Sequence, residues 1–279
     1  MTNAKGKTMP STFKLNHIFN VEIQHYFPEQ DAQHIAILLP AIGITIDKYQ
    51  KFIHQLNQAN IAIITADYPG YGKNLPKVDR QHSYGYADLI EQFIPALITN
   101  ASQFPTFNTP TFIGHSLGAH IATLYAQHHP CNVVGIATGN IFYKHWQGKA
   151  RYKMLATAYT FRLLVNTLGY LPGDKIGFGK REAKGLINDF ASTVIRGNYH
   201  HILPVYDKSN AANLFLHIQD DQWAPMTSMT ALADLYHYPH VEQIKLAPDI
   251  KKGNPHSVWL KAPEIAVSKI SQFLTNINA

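Results

Sequence analysis

The chain has 279 residues, of which 46% are apolar and only 15% charged, which suits one α/β domain with an insertion and excludes a largely disordered chain. The net charge of +6 is uneven: residues 141–205 carry ten Lys/Arg against three Asp/Glu, a net +7, and leave −1 for the remainder. No apolar run approaches the length of about 18 residues that a transmembrane helix needs, Met1 to Lys14 is polar with no signal-like apolar stretch, and a cytoplasmic protein is expected.

In chain order, Lys14 to Phe27 alternates apolar and polar residues loosely, as a β-ribbon does. Ile35 to Leu39 is an unbroken apolar run, the pattern of a strand buried on both faces. Asp47 to Asn57 has helical spacing, with Tyr49, Phe52, Ile53 and Leu56 on one face. Ile61 to Thr65 is a second buried strand and enters the turn-rich Asp67-Tyr68-Pro69-Gly70-Tyr71-Gly72. Tyr86 to Ile98 reads as a helix and Thr111 to Ile113 as a strand. That strand enters Gly114-His115-Ser116-Leu117-Gly118, a helix then runs to about His128, and Val133 to Ala137 is the next strand. Cys131, the single cysteine, stands just before that strand and reads as a strand-edge residue; no internal disulfide is possible. At Ile141 the alternation stops, and no clear strand returns until Leu214 to Ile218. A helix near Met226 to Leu235, a strand at Val241 to Leu246 and a helix at Pro263 to Phe273 close the chain. The alternation predicts an α/β fold with a mostly parallel central sheet flanked by helices. Residues 1–140 and 206–279 form its core domain. Residues 141–205, too long for a plain loop, form a helical cap insertion.

The chemistry is carried by Gly114-His115-Ser116-Leu117-Gly118, a G-x-S-x-G between a strand and a helix, where a nucleophile elbow must lie. Glycines two residues to either side relieve the crowding of such a turn. The helix that follows presents its first amides toward the serine. A serine hydroxyl needs a base, and the base needs an orienting acid. With the serine on such an elbow, the acid follows a late strand and the base follows the last. Asp221 lies after Leu214 to Ile218 and four residues before Pro225, with Asp220 as its rival. His256, in Gly253-Asn254-Pro255-His256, is the candidate base. The oxyanion amides are expected at Leu117 and Ile42, with Ala41 as the fallback, because Pro40 has no amide. Tyr143, Trp146, Tyr159 and Phe161 are expected either to line an apolar acyl pocket or to be buried packing, and Tyr159 and Phe161, two residues apart on a predicted helix, do not share a face. Activity is expected to fall as pH drops through the histidine range.

Together with Pro40-Ala41-Ile42-Gly43, Asp67 to Gly72, Ala137-Thr138-Gly139, Gly169-Tyr170-Leu171-Pro172-Gly173 and Asp220 to Pro225, these segments resemble the α/β-hydrolase superfamily. The closer resemblance is to its serine-aminopeptidase and monoacylglycerol-lipase-like branch. The resemblance implies an α/β-hydrolase fold, a Ser116, Asp221, His256 triad and cofactor-free hydrolysis of an acyl bond, carboxylesterase-like or lipase-like first and peptidase or amidase second. It departs where many relatives have His-Gly in place of Pro40-Ala41, and a glycine in place of Ala119. A small-molecule acyl substrate, lipophilic or anionic, is the expected partner. The basic region would suit an acidic group or peripheral contact with a membrane surface. The competing class is a non-catalytic small-molecule binder on the same scaffold. Nucleic acid is not expected, because no recognised module is present. No metal is expected: His237-Tyr238-Pro239-His240 lacks a third ligand nearby. Gly173 to Lys180, followed by Arg181, fails the phosphate-loop spacing.

Overall fold

The apolar runs of the sequence become the middle of one eight-stranded sheet, in the order β1-β2-β4-β3-β5-β6-β9-β10. The computed structural model describes residues 11–203, 207–247, 250 and 253–277. Residues 1–10 of the polar N-terminus, and the expected boundary at 205 and 206, lie outside the described residues. The elements in order are β1 (Ser11–Leu15), β2 (Phe19–Tyr26), β3 (His34–Leu39), α1 (Gln50–Gln58), β4 (Ile61–Ala66), α2 (Tyr86–Asp88), α3 (Ile94–Ala101), β5 (Thr111–His115), α4 (Leu117–Tyr125) and β6 (Asn132–Ile136). They continue with α5 (Gly148–Leu168), β7 (Tyr170–Pro172), α6 (Gly173–Ile176), β8 (Arg181–Ala183), α7 (Lys184–Arg196), β9 (Asn213–Ile218), α8 (Met226–Ala233), β10 (Val241–Ile244), α9 (Pro255–Val258) and α10 (Glu264–Ile277).

The strand pairs from β4 through β10 are parallel, while β1 and β2 join antiparallel at one edge. Strands β4, β5 and β9 are buried along their whole length, which explains why Ile61 to Ile64, Phe112 to Ile113 and Leu214 to Leu216 read as apolar runs rather than alternating ones. Alternate residues serve opposite faces. Ile37, Ile64, Phe112 and Phe215 pack with Phe93, Ile121 and Leu232 on one face. Leu38, Ile63, Ile113 and Leu216 pack with Phe52, Leu56 and Ile270 on the other. Burial of each such side chain contributes about 1.5–3 kcal/mol.

Between β6 and β9, α5 and α7 pack on each other and carry two small apolar clusters of their own, one around Trp146 and Ala158 and one around Phe161 and Val165. The antiparallel pair β7–β8 was not anticipated, because a three-residue strand is too short to show a period. The helix expected over Tyr86 to Ile98 is interrupted by a π-turn at Leu89–Phe93. Pro95 explains the break: it has no amide to offer the Glu91 carbonyl.

β4 lies on one side of β3 and β5 on the other, so chain order reverses between β3 and β5. Loops leaving such a switch point diverge and open a crevice at the carboxyl ends of the strands. At that place α4 begins hard against β3, where a Cβ on Gly118 would sit 2.0 Å from the Leu39 carbonyl oxygen. Gly118→Ala is therefore expected to destabilise the fold by about 1–3 kcal/mol, read as a lower urea midpoint at unchanged m-value. A midpoint equal to that of the parent would contradict the close approach.

Candidate active site

β5 ends at His115 and α4 starts at Leu117, so Ser116 alone makes the turn between them. Its φ of 51° and ψ of −112° lie where side-chain-bearing residues are rarely found. A Cβ at Gly114 would lie 2.4 Å from the Ala119 nitrogen, so the turn closes only with glycine there. The Ser116 amide donates to the Ile136 carbonyl at 3.1 Å, and the Thr138 hydroxyl donates to the Ser116 carbonyl at 3.0 Å. Both bonds hold the strained residue to the end of β6.

Three loops converge there. Ser116 Oγ lies 2.9 Å from His256 Nε2, and His256 Nδ1 lies 2.8 Å from Asp221 Oδ2. The carboxylate only accepts, so Nδ1 carries the proton and Nε2 is left to accept from the serine hydroxyl. Asp221, not Asp220, faces the imidazole. It is 3% exposed, and its Oδ1 accepts the amides of Trp223 at 2.8 Å and Ala224 at 3.2 Å. Burial by itself pushes the Asp221 carboxyl up, but the hydrogen bond and charge of His256, with those two amides, outweigh it and hold the group below the usual carboxylate range.

The loop after β3 borders the same space. Ala41 N–H donates to the Tyr49 hydroxyl at 2.8 Å, Gly43 N–H to the Tyr71 hydroxyl at 3.1 Å, and Ile44 N–H to the Ala41 carbonyl at 3.3 Å. Of the amides from 41 to 44, that leaves Ile42, and Ala41 is already engaged. Leu117 is the first residue of α4, so its amide has no acceptor within the helix. Ile42, Leu117, Ser116 and His256 all line one cavity of about 300 Å³.

The four aromatic residues expected on the pocket wall are not among the lining residues. Trp146 is buried and donates its ring N–H to the Gln222 carbonyl at 2.8 Å, holding the segment after β6 against the loop of Asp221. Phe161 packs behind the wall on Phe178, with ring centroids 4.8 Å apart. Tyr143 joins the cluster around Trp146, and Tyr159 points outward at 56% exposure. The wall instead includes Ile44, Met154, Phe178, Leu186, Phe190 and Trp223. The Trp223 ring stacks on Phe178 at 6.0 Å and an interplanar angle of 9°, and also neighbours His256 at 6.0 Å. Trp223 follows the candidate acid by two residues, and that adjacency was the one available signal. No lysine or arginine of the basic region lines the cavity. Among the described residues no cluster of His, Cys, Asp and Glu is arranged to hold a metal ion.

A family model described as serine aminopeptidase, S33, matches residues 30–194, more than half of the chain. The chain belongs to this family. The match runs from just before β3 into α7 and contains Ser116 and the Ile42 loop. Among solved structures, the S33-family chain is similar to a monoacylglycerol lipase from Paleococcus ferrophilus, with 17% identity, a TM-score of 0.62, and 91% of this chain and 99% of that one covered. It is similar to Est1E from Butyrivibrio proteoclasticus with ferulic acid bound, with 13% identity, a TM-score of 0.63, and 95% and 98% covered. It is similar also to a bromoperoxidase from Bacillus anthracis, with 14% identity, a TM-score of 0.63, and 96% and 100% covered. At these identities the likeness establishes the α/β-hydrolase fold. A search of curated proteins finds no match to the sequence.

Buried titratable groups surround the S33-family site. Burial lowers His115 to about 3 and His120 to about 4. Burial raises Glu182 to about 7, against hydrogen bonds from Tyr71 and the Lys180 amide, and raises Asp189 to about 6. The signs oppose each other. Histidines held neutral contribute stability above their unfolded range, and it is lost on acidification. A carboxyl raised by burial is protonated in the fold but ionised when unfolded, so its contribution is lost as pH rises through its folded value. Comparing the parent with Glu182→Gln isolates one group. The parent's stability relative to that variant is expected to decline between about pH 4.5 and 7 and then level off, measured by urea unfolding across pH. A difference that stays flat over this window would contradict a protonated, buried Glu182.

Proposed function

We propose that the chain is a serine hydrolase that cleaves uncharged esters with an apolar acyl group through an acyl-enzyme. The observation that carries this reading is the 2.9 Å approach of Ser116 Oγ to an imidazole whose other nitrogen is held by a buried carboxylate, at the wall of an apolar cavity. In this reading His256 takes the serine proton as Oγ attacks the ester carbonyl. The Ile42 and Leu117 amides meet the charge that develops on the carbonyl oxygen. The imidazolium returns its proton to the departing alcohol. Water, activated in turn by His256, then opens the acyl-enzyme and releases the acid.

The segment from 141 to 205 acts as a cap in this proposal, since Ile141, Met154, Phe178, Leu186 and Phe190 contribute to the wall around Ser116. An aminopeptide substrate would bring a cationic amine, which needs a carboxylate once desolvated. Among the described residues no aspartate, glutamate, lysine or arginine lines the cavity, and the histidines that line it are His120 and His256. That favours a neutral ester over an aminopeptide or an anionic substrate. A cytoplasmic location is part of the same proposal, resting on a single cysteine, Cys131, that is a buried free thiol.

A fluorophosphonate probe is expected to label the parent at Ser116 and to leave Ser116→Ala unlabelled. Asp221→Asn is expected to lower kcat on short p-nitrophenyl esters by about 10³–10⁴-fold, with Asp220→Asn close to the parent. Folded parent that takes no label would favour the non-catalytic binder.

Peripheral contact with anionic membranes belongs to the same reading. On α5, Tyr152, Tyr159 and Leu163 are exposed at 69%, 56% and 65%. At helical spacing they form one stripe with Ala156, flanked by Lys149 and Lys153 on one side and Arg162 on the other. The helix holds no acidic residue. Cations beside an outward apolar stripe suit a helix lying on an anionic surface. The parent is expected to sediment with phosphatidylglycerol vesicles in low salt and not with phosphatidylcholine vesicles. Tyr159→Glu with Leu163→Glu should abolish that while soluble-ester turnover persists. Binding unaffected by the double substitution would remove α5 from the proposal.

A further inference from the structure

The loop that carries Ile42 is gripped on both sides of that residue by a tyrosine hydroxyl, and each tyrosine has a different backing. On the core side, Tyr49 accepts the Ala41 amide at 2.8 Å and meets His115 Nδ1 at 2.8 Å. His115 Nε2 lies 2.8 Å from the His256 carbonyl oxygen. A carbonyl only accepts, so Nε2 carries the proton and Nδ1 receives the tyrosine's. On the other side, Tyr71 accepts the Gly43 amide at 3.1 Å and donates to Glu182 Oε2. Glu182 is fully buried on β8, and its Oε1 accepts the Lys180 amide at 2.7 Å. The backbone of the same turn abuts the loop: a Cβ on Gly43 would lie 2.1 Å from the Gly179 Cα, and one on Gly179 would lie 2.3 Å from Glu182 Oε1.

We propose that Glu182 is a positioning residue for the Ile42 amide, acting through Tyr71, so that the oxyanion loop takes its working shape only while the inserted segment is seated on it. Three features carry this. Tyr71 has one proton and, with Glu182 ionised above about pH 7, gives it to that carboxylate, which orients the tyrosine oxygen lone pairs toward Gly43 N–H. Gly43 has φ of 75°, so the peptide next to Ile42 is free to reorient unless something holds it. The two glycines in contact leave no room for a side chain to take over that role. The inserted segment thereby shapes the cavity wall through Phe178 and the charge-stabilising amide through Glu182, one turn apart in the chain. This inference rests on the reading of Ser116 as nucleophile.

The test uses the full chain with Tyr71→Phe, Glu182→Gln and Glu182→Ala. Tyr71→Phe removes one oxygen and carries the test even if the Glu182 variants do not fold. Expected are a fall in kcat of about tenfold or more, since a small misplacement of a charge-stabilising group costs up to about 10²-fold, with KM within about twofold. Affinity for a trifluoromethyl ketone, which forms a tetrahedral oxyanion on the serine, should fall by the same factor. Amide hydrogen exchange over residues 40–45 should accelerate in both Tyr71→Phe and Glu182→Gln. Glu182→Gln keeps one acceptor and should retain more activity than Glu182→Ala. The proposal is overturned if a parent that labels at Ser116 is matched in kcat by Tyr71→Phe. It is equally overturned if KM rises while kcat and ketone affinity hold, or if exchange over 40–45 does not change. A parent that takes no fluorophosphonate removes the hydrolase reading first and this inference with it.

Discussion

Hardly any space separates the first turn of α4 from the ends of β3 and β5, and the geometry around Ser116 follows from that. Only glycine fits at 114 and 118, so the chain passes from strand to helix in one residue, and that residue is forced to positive φ. Such a conformation costs about 1–3 kcal/mol. The cost is offset by β5 and α4, whose side chains are buried almost throughout on both sides of the turn. The result lifts the Ser116 hydroxyl above the sheet edge and points the first amide of the helix into the same crevice. A looser junction would relax the serine toward ordinary backbone angles and take the hydroxyl away from His256.

Around this junction the fold solves a polar problem with tyrosines. The loop after β3 is buried at Pro40, Ala41 and Ile46 and half-buried between, and its enclosed backbone groups need partners. Tyr68 donates to the Pro40 carbonyl at 2.8 Å, Tyr49 accepts the Ala41 amide, and Tyr71 accepts the Gly43 amide. Each ring fills apolar space while its hydroxyl reaches the loop. Asp67, at the head of the turn that carries Tyr68 and Tyr71, accepts the Ile46 amide at 2.8 Å and so ties the far end of the same loop. The segment Asp67 to Gly72 therefore builds the loop from behind, although none of its residues lines the cavity.

Much of this was legible in the sequence, for reasons that differ by element. The buried parallel strands were read because burial on both faces leaves unbroken apolar runs. The serine turn was read because its crowding admits glycine alone at two fixed offsets. Asp221 and His256 came from their order along the chain, and the distances bring both to Ser116. Legibility ended at the cavity wall. Aromatic residues at 143, 146, 159 and 161 looked like a pocket, but composition does not say which side of a helix faces inward when both sides are apolar. α5 is of that kind: Met154 lines the cavity, Phe161 backs it, and Tyr159 faces out. The two short strands β7 and β8 escaped for want of length, and with them the burial of Glu182, which reads in the sequence as one more surface charge.

The division of the wall has a consequence for what each part of the chain controls. Ser116, His256, Asp221, Ile42 and Leu117 all come from loops at the carboxyl ends of parallel strands or from the helix that follows one, where the sheet fixes them. Phe178, Met154 and Phe190 come from the segment between β6 and β9 and pack against its two small clusters, while Leu186 of the same segment joins the large cluster on one face of the sheet. On the proposed reading, substitution in the small clusters reshapes the space for a substrate, because among the described residues no side chain of the segment takes part in the Ser116, His256 and Asp221 chain of hydrogen bonds. The segment's hold on the loop of Ile42 limits that independence. A change that unseats the turn at Gly179 also releases Tyr71 from Glu182, so the wall and the amide next to it shift together. If Ser116 is the nucleophile, as proposed, selectivity and rate are coupled through one buried carboxyl group and one hydroxyl, and a variant of the wall that keeps Gly179 on Gly43 is the kind that alters the first while sparing the second.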